Sequence, residues 1–170
     1  MSDAPILCVW GGAEGNNTFR NDAGSGTFVS VAAGAAAAVI KNNIFSGPGT
    51  ITNQSTAVQN NNFAGDPGFV NAAAYDYHLT SGSPAIDKGT DPGSDGSFSL
   101  SPVFQYVHPA CAEGRSTIGL LDIGAYEFGG GTSVPPPGGT CGSPGAKLEP
   151  PLMRTKPAFI AMQQLFSVEP

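Results

Sequence analysis

The sequence predicts an all-β chain: a repeated strand-and-turn solenoid, then a cap that closes it, then a Pro/Gly-rich tail. Three observations carry this expectation. Gly (24) and Pro (15) together make 39 of 170 residues, while charged residues are only 12%, a balance that favours turns over helix formers. An Asn-Asn echo recurs as Asn16-Asn17-Thr18-Phe19, Asn42-Asn43-Ile44-Phe45 and Asn61-Asn62-Phe63. All ten asparagines lie at or before Asn71, and Gly, Pro and Asp punctuate the remainder of the chain. Such a step marks a change from a repeated unit to the structure that closes it.

Residues 1–65 read as Asn-rich coils. Phe19 to Phe45 is 26 positions and Phe45 to Phe63 is 18, a recurrence of about 20 residues that suits a solenoid. Candidate strands are Thr27–Val31, Ala37–Ile40, Thr50–Thr52 and Thr56–Gln59, the first showing the alternation of a half-buried strand. Residues 32–38 are Ala-rich enough for a short helix, but Gly34 and the β-branched residues on both sides favour a tight turn and narrow strand. Asn tolerates left-handed backbone angles and so bends a strand sharply. Its amide both donates and accepts, so stacked asparagines can bond along a solenoid axis. Asn43 and Asn62 are therefore expected in equivalent turns of neighbouring coils, with Phe45 and Phe63 stacked inside. The first coil is expected to present an uncapped edge.

Residues 66–128 read as the terminal coil and cap. Asp66-Pro67-Gly68 is a turn, and in Tyr75-Asp76-Tyr77-His78-Leu79 an aromatic face alternates with a polar one. In Ser83-Pro84-Ala85-Ile86-Asp87-Lys88-Gly89, Pro84 biases Ser83 toward extended backbone, Ile86 is a buried anchor and Asp87 suits an Asx-type turn. Arg115, Asp122 and Glu127 are the charges available to pin the last strand. Residues 129–157 are too rich in Pro and Gly to pack and are expected to be disordered. Residues 158–168 could form a short amphipathic helix, marginal on its own.

Net charge is −6. Residues 1–128 hold eleven acids and four bases, and residues 129–170 hold two and three. An acidic body without a basic stripe argues against nucleic acid as a partner. No apolar run approaches the roughly 20 residues of a membrane span, and the opening residues lack the basic n-region of a signal peptide. Cys8, Cys111 and Cys141 form no CxxC; they are either free thiols or, in an oxidising setting, include a Cys111–Cys141 bridge.

The order DPGFV, YDYHLTSGSPAIDKGTD and Asp122-Ile123-Gly124-Ala125-Tyr126-Glu127 resembles the C-terminal end of secreted bacterial right-handed parallel β-helix proteins, the pectin-lyase-like solenoids of the choice-of-anchor type. The resemblance covers roughly residues 40–128. It implies a right-handed parallel β-helix, a secreted or cell-surface setting, and coils that continue upstream in a longer parent chain. It implies little about substrate.

Function depends on which side chains the coils carry. Glycoside hydrolases need paired carboxylates for acid and base work, and lyases need calcium-binding carboxylates beside a base. Between Ala23 and Gly65 there is no Asp or Glu, and Lys41 is the only charged residue. This gap argues against catalysis on the coils. Asp87, Asp91 and Asp95, with Gly89, Gly93 and Gly96, have the spacing of a loose calcium loop but lack the closer alternation and final Glu of an EF-type loop; turn-capping is the favoured reading. Tyr75, Tyr77 and His78 are the candidate carbohydrate-binding residues, weighed against aromatics that simply face a core. Asn43, Asn62, Phe45, Phe63, Asp87 and Asp122 are the expected structural residues. The function expected is that of a non-catalytic terminal segment of a surface β-helix protein, with a polysaccharide or cell-surface glycan as partner. The alternative is a piece of a polysaccharide lyase or glycoside hydrolase whose active site lies in upstream coils.

Overall fold

The computed structural model describes residues 6–9, 12–108, 111–132 and 165–168. It is all-β; the only helical turn among the described residues is a single 3-10 turn at Ala72–Ala74. Nine short strands build three successive coils. The first is β1 (Leu7–Val9), β2 (Ala13–Gly15) and β3 (Thr18–Asn21); the second is β4 (Thr27–Val31), β5 (Val39–Lys41) and β6 (Ile44–Ser46); the third is β7 (Thr50–Thr52), β8 (Val58–Asn60) and β9 (Phe63–Ala64). Equivalent strands stack in parallel as β1-β4-β7, β2-β5-β8 and β3-β6-β9, the arrangement of β-helix coils. Residues 32–38 make a loop with Gly34 at φ +78° and no helix.

The Asn-Asn pairs set the register. Asn16, Asn42 and Asn61 each hold a left-handed φ of 53–57°, a conformation in which Asn is enriched. Beside them runs a ladder of amides. Asn17 donates its backbone N–H (2.9 Å) and its Nδ2 (3.1 Å) to Asn43 Oδ1, and Asn43 donates the same two groups to Asn62 Oδ1 at 2.9 and 3.2 Å. Phe19 then pairs with Phe45, their rings stacked at 5.1 Å and 7°. Phe28, tilted against Phe45 at 5.2 Å, completes an interior shared with Val29, Val31, Ala38 and Ile40.

The third echo departs from expectation. Asn61-Asn62-Phe63 lacks the residue that separates Asn from Phe in the other two, so Phe63 falls in register with Ile44 and Ala64 with Phe45. Because successive strand residues face opposite sides, Phe63 points away from the interior and does not stack on Phe45. Ile44 and Phe63 instead pack outward with Leu79, Ala85 and Ile123. This contact docks residues 66–128 on the flank of the β3-β6-β9 sheet. Gly124 donates its N–H to Asn42 O (2.8 Å) and Ala125 donates to Thr18 Oγ1 (3.0 Å). At Gly124, with φ +98°, an added Cβ would sit 2.5 Å from Ile44 Cδ1, so only glycine permits the approach.

The flanking segment comprises three small antiparallel units. These are a hairpin of β10 (Phe69–Asn71) and β11 (Asp76–Leu79), a hairpin of β12 (Ser94–Asp95) and β13 (Phe98–Ser99), and a sheet of β14 (Phe104–Val107), β15 (Cys111–Arg115) and β16 (Gly131–Thr132). β16 pairs with β15 through Arg115↔Gly131, so the ordered body runs past Gly129, where disorder was expected to begin; residues 133–157 lie outside the described residues. The expected helix over 158–168 is corrected as well. Residues 158–164 lie outside the described residues, but Leu165–Val168 form a strand, β17, parallel to β3 with Leu165↔Thr18 and Val168↔Asn21. The β3 edge of the first coil, expected to be open, is therefore covered by the chain's own last strand. The sequence Gln163-Gln164-Leu165-Phe166 is a fourth copy of the echo, with Gln for Asn, and this signal was missed because Gln is not a turn former.

Candidate functional site

The charged residues of the SPAID and DIGAYE segments form a closed structural knot. Arg115 and Glu127 make an ion pair at 3.0 Å with both side chains fully buried. Arg115 also donates from Nη1 to Gly124 O (2.7 Å) and from Nη2 to Asp122 O (3.0 Å). Glu127 accepts the N–H of Ile118 on Oε1 and that of Asp122 on Oε2. Asp122 accepts the N–H of Asp87 (2.7 Å) and of Phe128 (2.6 Å), and Asp87 accepts the N–H of Leu120 (2.8 Å). Burial lowers the affinity of Arg115 for its proton and raises that of Asp122. Each carboxylate here is consumed by backbone donors, which leaves little for a ligand.

The calcium candidates separate. Asp87 caps the loop at Leu120, Asp91 caps its own turn through Gly93 N–H (2.9 Å), and Asp95 pairs with Phe98 in a hairpin. Among the described residues no three His, Cys, Asp or Glu side chains gather as a metal site. Cys8 is a free, exposed thiol; the Cys111–Cys141 alternative lies outside the described side chains.

Chemistry-bearing groups that remain available converge elsewhere, on the outer side of β11, β14 and β15. His78 Nδ1 lies 2.6 Å from Asp76 Oδ1, and His78 Nε2 lies 3.9 Å from Glu113 Oε1. Strand alternation explains this, since Asp76 and His78 face away from the core that holds Tyr77 and Leu79. Glu113 is steadied by Gln105 Nε2 at 2.7 Å. The His78 ring packs at 4.4 Å against Tyr126, whose hydroxyl burial pushes strongly toward the protonated form. Next to Asp76 in sequence, Tyr75 stacks on His108 at 5.1 Å and 17°, and Tyr106 meets His108 edge-on at 6.3 Å. Burial also raises the Tyr106 hydroxyl.

Tyr75 has φ 60° and ψ 20°, left-handed, at the end of the Ala72–Ala74 turn. A bulky aromatic in this region is uncommon and strained. The turn places its ring on His108 and against the flank of the Tyr77–Ala125–Tyr126 core cluster. Of the three predicted binding residues, Tyr75 and His78 are half-buried on this face. Tyr77 is not on it: it is 1% exposed and edge-on to Phe69 at 5.1 Å, because strand alternation turns it inward. The structure adds Glu113, set opposite Gln105 in the β14–β15 pairing, and Tyr106 and His108, which stand at and just past the end of β14. The aromatic and His content of Tyr106-Val107-His108 was the one signal for the latter two.

The coils themselves are less bare than expected. The first coil begins at Leu7, so Glu14, Arg20 and Asp22 belong to it, and Arg20 pairs with Asp22 at 2.6 Å. Glu14 stands in register with fully buried Ile40, and burial holds its carboxyl above the usual range. The second and third coils carry Lys41 as their only charge.

Fold and face together define an all-β protein of stacked parallel coils with an antiparallel cap docked on one sheet. Among the described residues no helix is long and apolar enough to cross a membrane. Comparison with known protein families, curated proteins and solved structures gives no match.

Proposed function

We propose that this chain is a non-catalytic segment of a secreted or cell-surface right-handed parallel β-helix protein of the pectin-lyase-like kind, and that its cap binds glycan through the face built by Tyr75, His78 and His108. One observation carries the reading: a strained tyrosine stacked on a histidine, beside an imidazole set between two carboxylates. Aromatic faces suit the apolar face of a sugar ring, and the flanking carboxylates and imidazole suit its hydroxyls. The coils offer structural amides and no paired carboxylates on the second and third turns, which supports a scaffold role over catalysis.

The test is calorimetric titration of a panel of neutral and uronate-containing oligosaccharides into the chain. At least one should bind, and Tyr75→Gly should weaken it by roughly tenfold or more, on the order of 1–2 kcal/mol. The same substitution relieves the left-handed strain but removes the ring's packing on His108 and on the Tyr77–Tyr126 cluster, so a net stability loss of about 1–2 kcal/mol is expected. Absence of binding across the panel at millimolar ligand would reject the glycan reading. Reducing-end or unsaturated-product release that disappears in Asp76→Ala would reject the non-catalytic one, and would place an active site on this face.

A further inference from the structure

Two features meet at the outer edge of the first coil. β17 lies on β3 in parallel register, giving the sheet order β17-β3-β6-β9. Along the second asparagine of each pair the amide ladder has a polarity: Asn43 Oδ1 accepts from Asn17 and Asn62 Oδ1 from Asn43, each time from the coil before it. It ends at Asn17, whose Oδ1 therefore faces the position of a further coil. In sequence alone, Gln163-Gln164 precede Leu165 and Phe166 as Asn16-Asn17 precede Thr18 and Phe19.

We infer that the edge of β3 is a strand acceptor and that its occupant exchanges between molecules, so that the last strand of one copy docks on the first coil of a second copy. The docking uses backbone hydrogen bonds and a short register, neither of which requires that donor and acceptor belong to one chain. Residues 133–164 separate β17 from β16, long enough to reach either its own coil or a neighbour's. Closing the strand on its own chain and lending it to a neighbour make the same contacts and differ in chain entropy. For a linker this long the effective concentration is on the order of millimolar or below. Reciprocal exchange satisfies both acceptor edges and closes a two-fold dimer.

The experiment uses the full chain and a fluorescein-labelled peptide of residues 162–170. Peptide should bind the chain saturably, and should bind Phe166→Pro/Ser167→Pro roughly tenfold or more tightly, because that chain's own strand no longer competes. A peptide carrying the same two prolines should not bind. In parallel, donor- and acceptor-labelled wild-type chains are unfolded together, refolded at high concentration and separated by size. A dimer showing energy transfer, abolished by excess unlabelled peptide, is expected. Failure of the peptide to bind either chain, with only monomer after co-refolding, would overturn the inference. The co-refolding arm uses wild-type chain, so it decides the matter even if the proline variant misfolds.

Discussion

Asn43 shows how much one side chain can carry in this fold. Its Oδ1 receives two donors from Asn17, its Nδ2 serves Glu14 O (2.8 Å) and Asn62 Oδ1, and it is fully buried. Asn43→Ala strands the Asn17 N–H and the Glu14 carbonyl in a dry interior. Each such group costs about 1–3 kcal/mol, so a loss of about 2–4 kcal/mol is expected in urea unfolding. Asn43→Asp should fare little better, because the carboxylate cannot donate to Glu14 O. Glu14 itself gives a pH dependence. Burial raises its carboxyl in the folded chain, so the fold prefers the protonated form more than the unfolded chain does. Its contribution is full below the unfolded value, about 4.3, and is lost as pH rises through the raised folded value. Glu14→Gln should therefore melt higher than wild type at neutral pH, and the two should converge in acid. A wild-type advantage that grows with pH would mean that Glu14 has found a cation. The Asn-Asn pairs and their role as sharp turns are legible in the sequence. The inward register of Glu14 is not, since a single carboxyl between Ala13 and Gly15 says nothing of which face it takes.

At the scale of elements, the Asp122–Glu127 segment behaves as a clasp around Arg115. Removing Arg115 leaves Glu127 charged and buried, and deleting one partner of such a pair costs about 3–5 kcal/mol. We expect Arg115→Ala to fall in that range by chemical denaturation. Adding Glu127→Leu should not restore it, because the N–H groups of Ile118 and Asp122 then lose their acceptor; full recovery in the double variant would show that the ion pair alone mattered. The motif residues Asp87, Asp122 and Glu127 stand out in the sequence by their order and spacing. What they bind does not, because nearly all of their partners are backbone N–H groups brought together by loops. The same holds for the outer face. The alternation of Asp76 and His78 with Tyr77 and Leu79 is readable, yet Glu113 comes within reach of His78 only through the antiparallel β14–β15 pair.

On the scale of the molecule, solenoid and cap share one contact surface. Ile44, 1% exposed, meets Leu79, Ala85 and Ile123 across it, and the Gly124 backbone lies against its end. Ile44→Ala should cost about 2–5 kcal/mol. If the two parts fold as one unit, tyrosine fluorescence from Tyr77 and Tyr126 and far-ultraviolet circular dichroism should share one denaturant midpoint, in wild type and variant alike. Separated midpoints in the variant would show a cap that melts on its own.

Composition, the Asn-Asn echo and the alternating strands were enough to determine an all-β chain of short coils, with Asn at the bends and a change of architecture near residue 66. These are local properties, set by the backbone preferences of Asn and Gly and by a period of two. Only the tertiary structure decided that Phe63 faces the cap, that the cap sits on a sheet flank, and that the last strand returns to the first coil. Each depends on which amide meets which acceptor many residues away. A shift of one residue reverses the facing of a whole strand, and the hydrogen bonds that prevent the shift exist only once the coils are stacked.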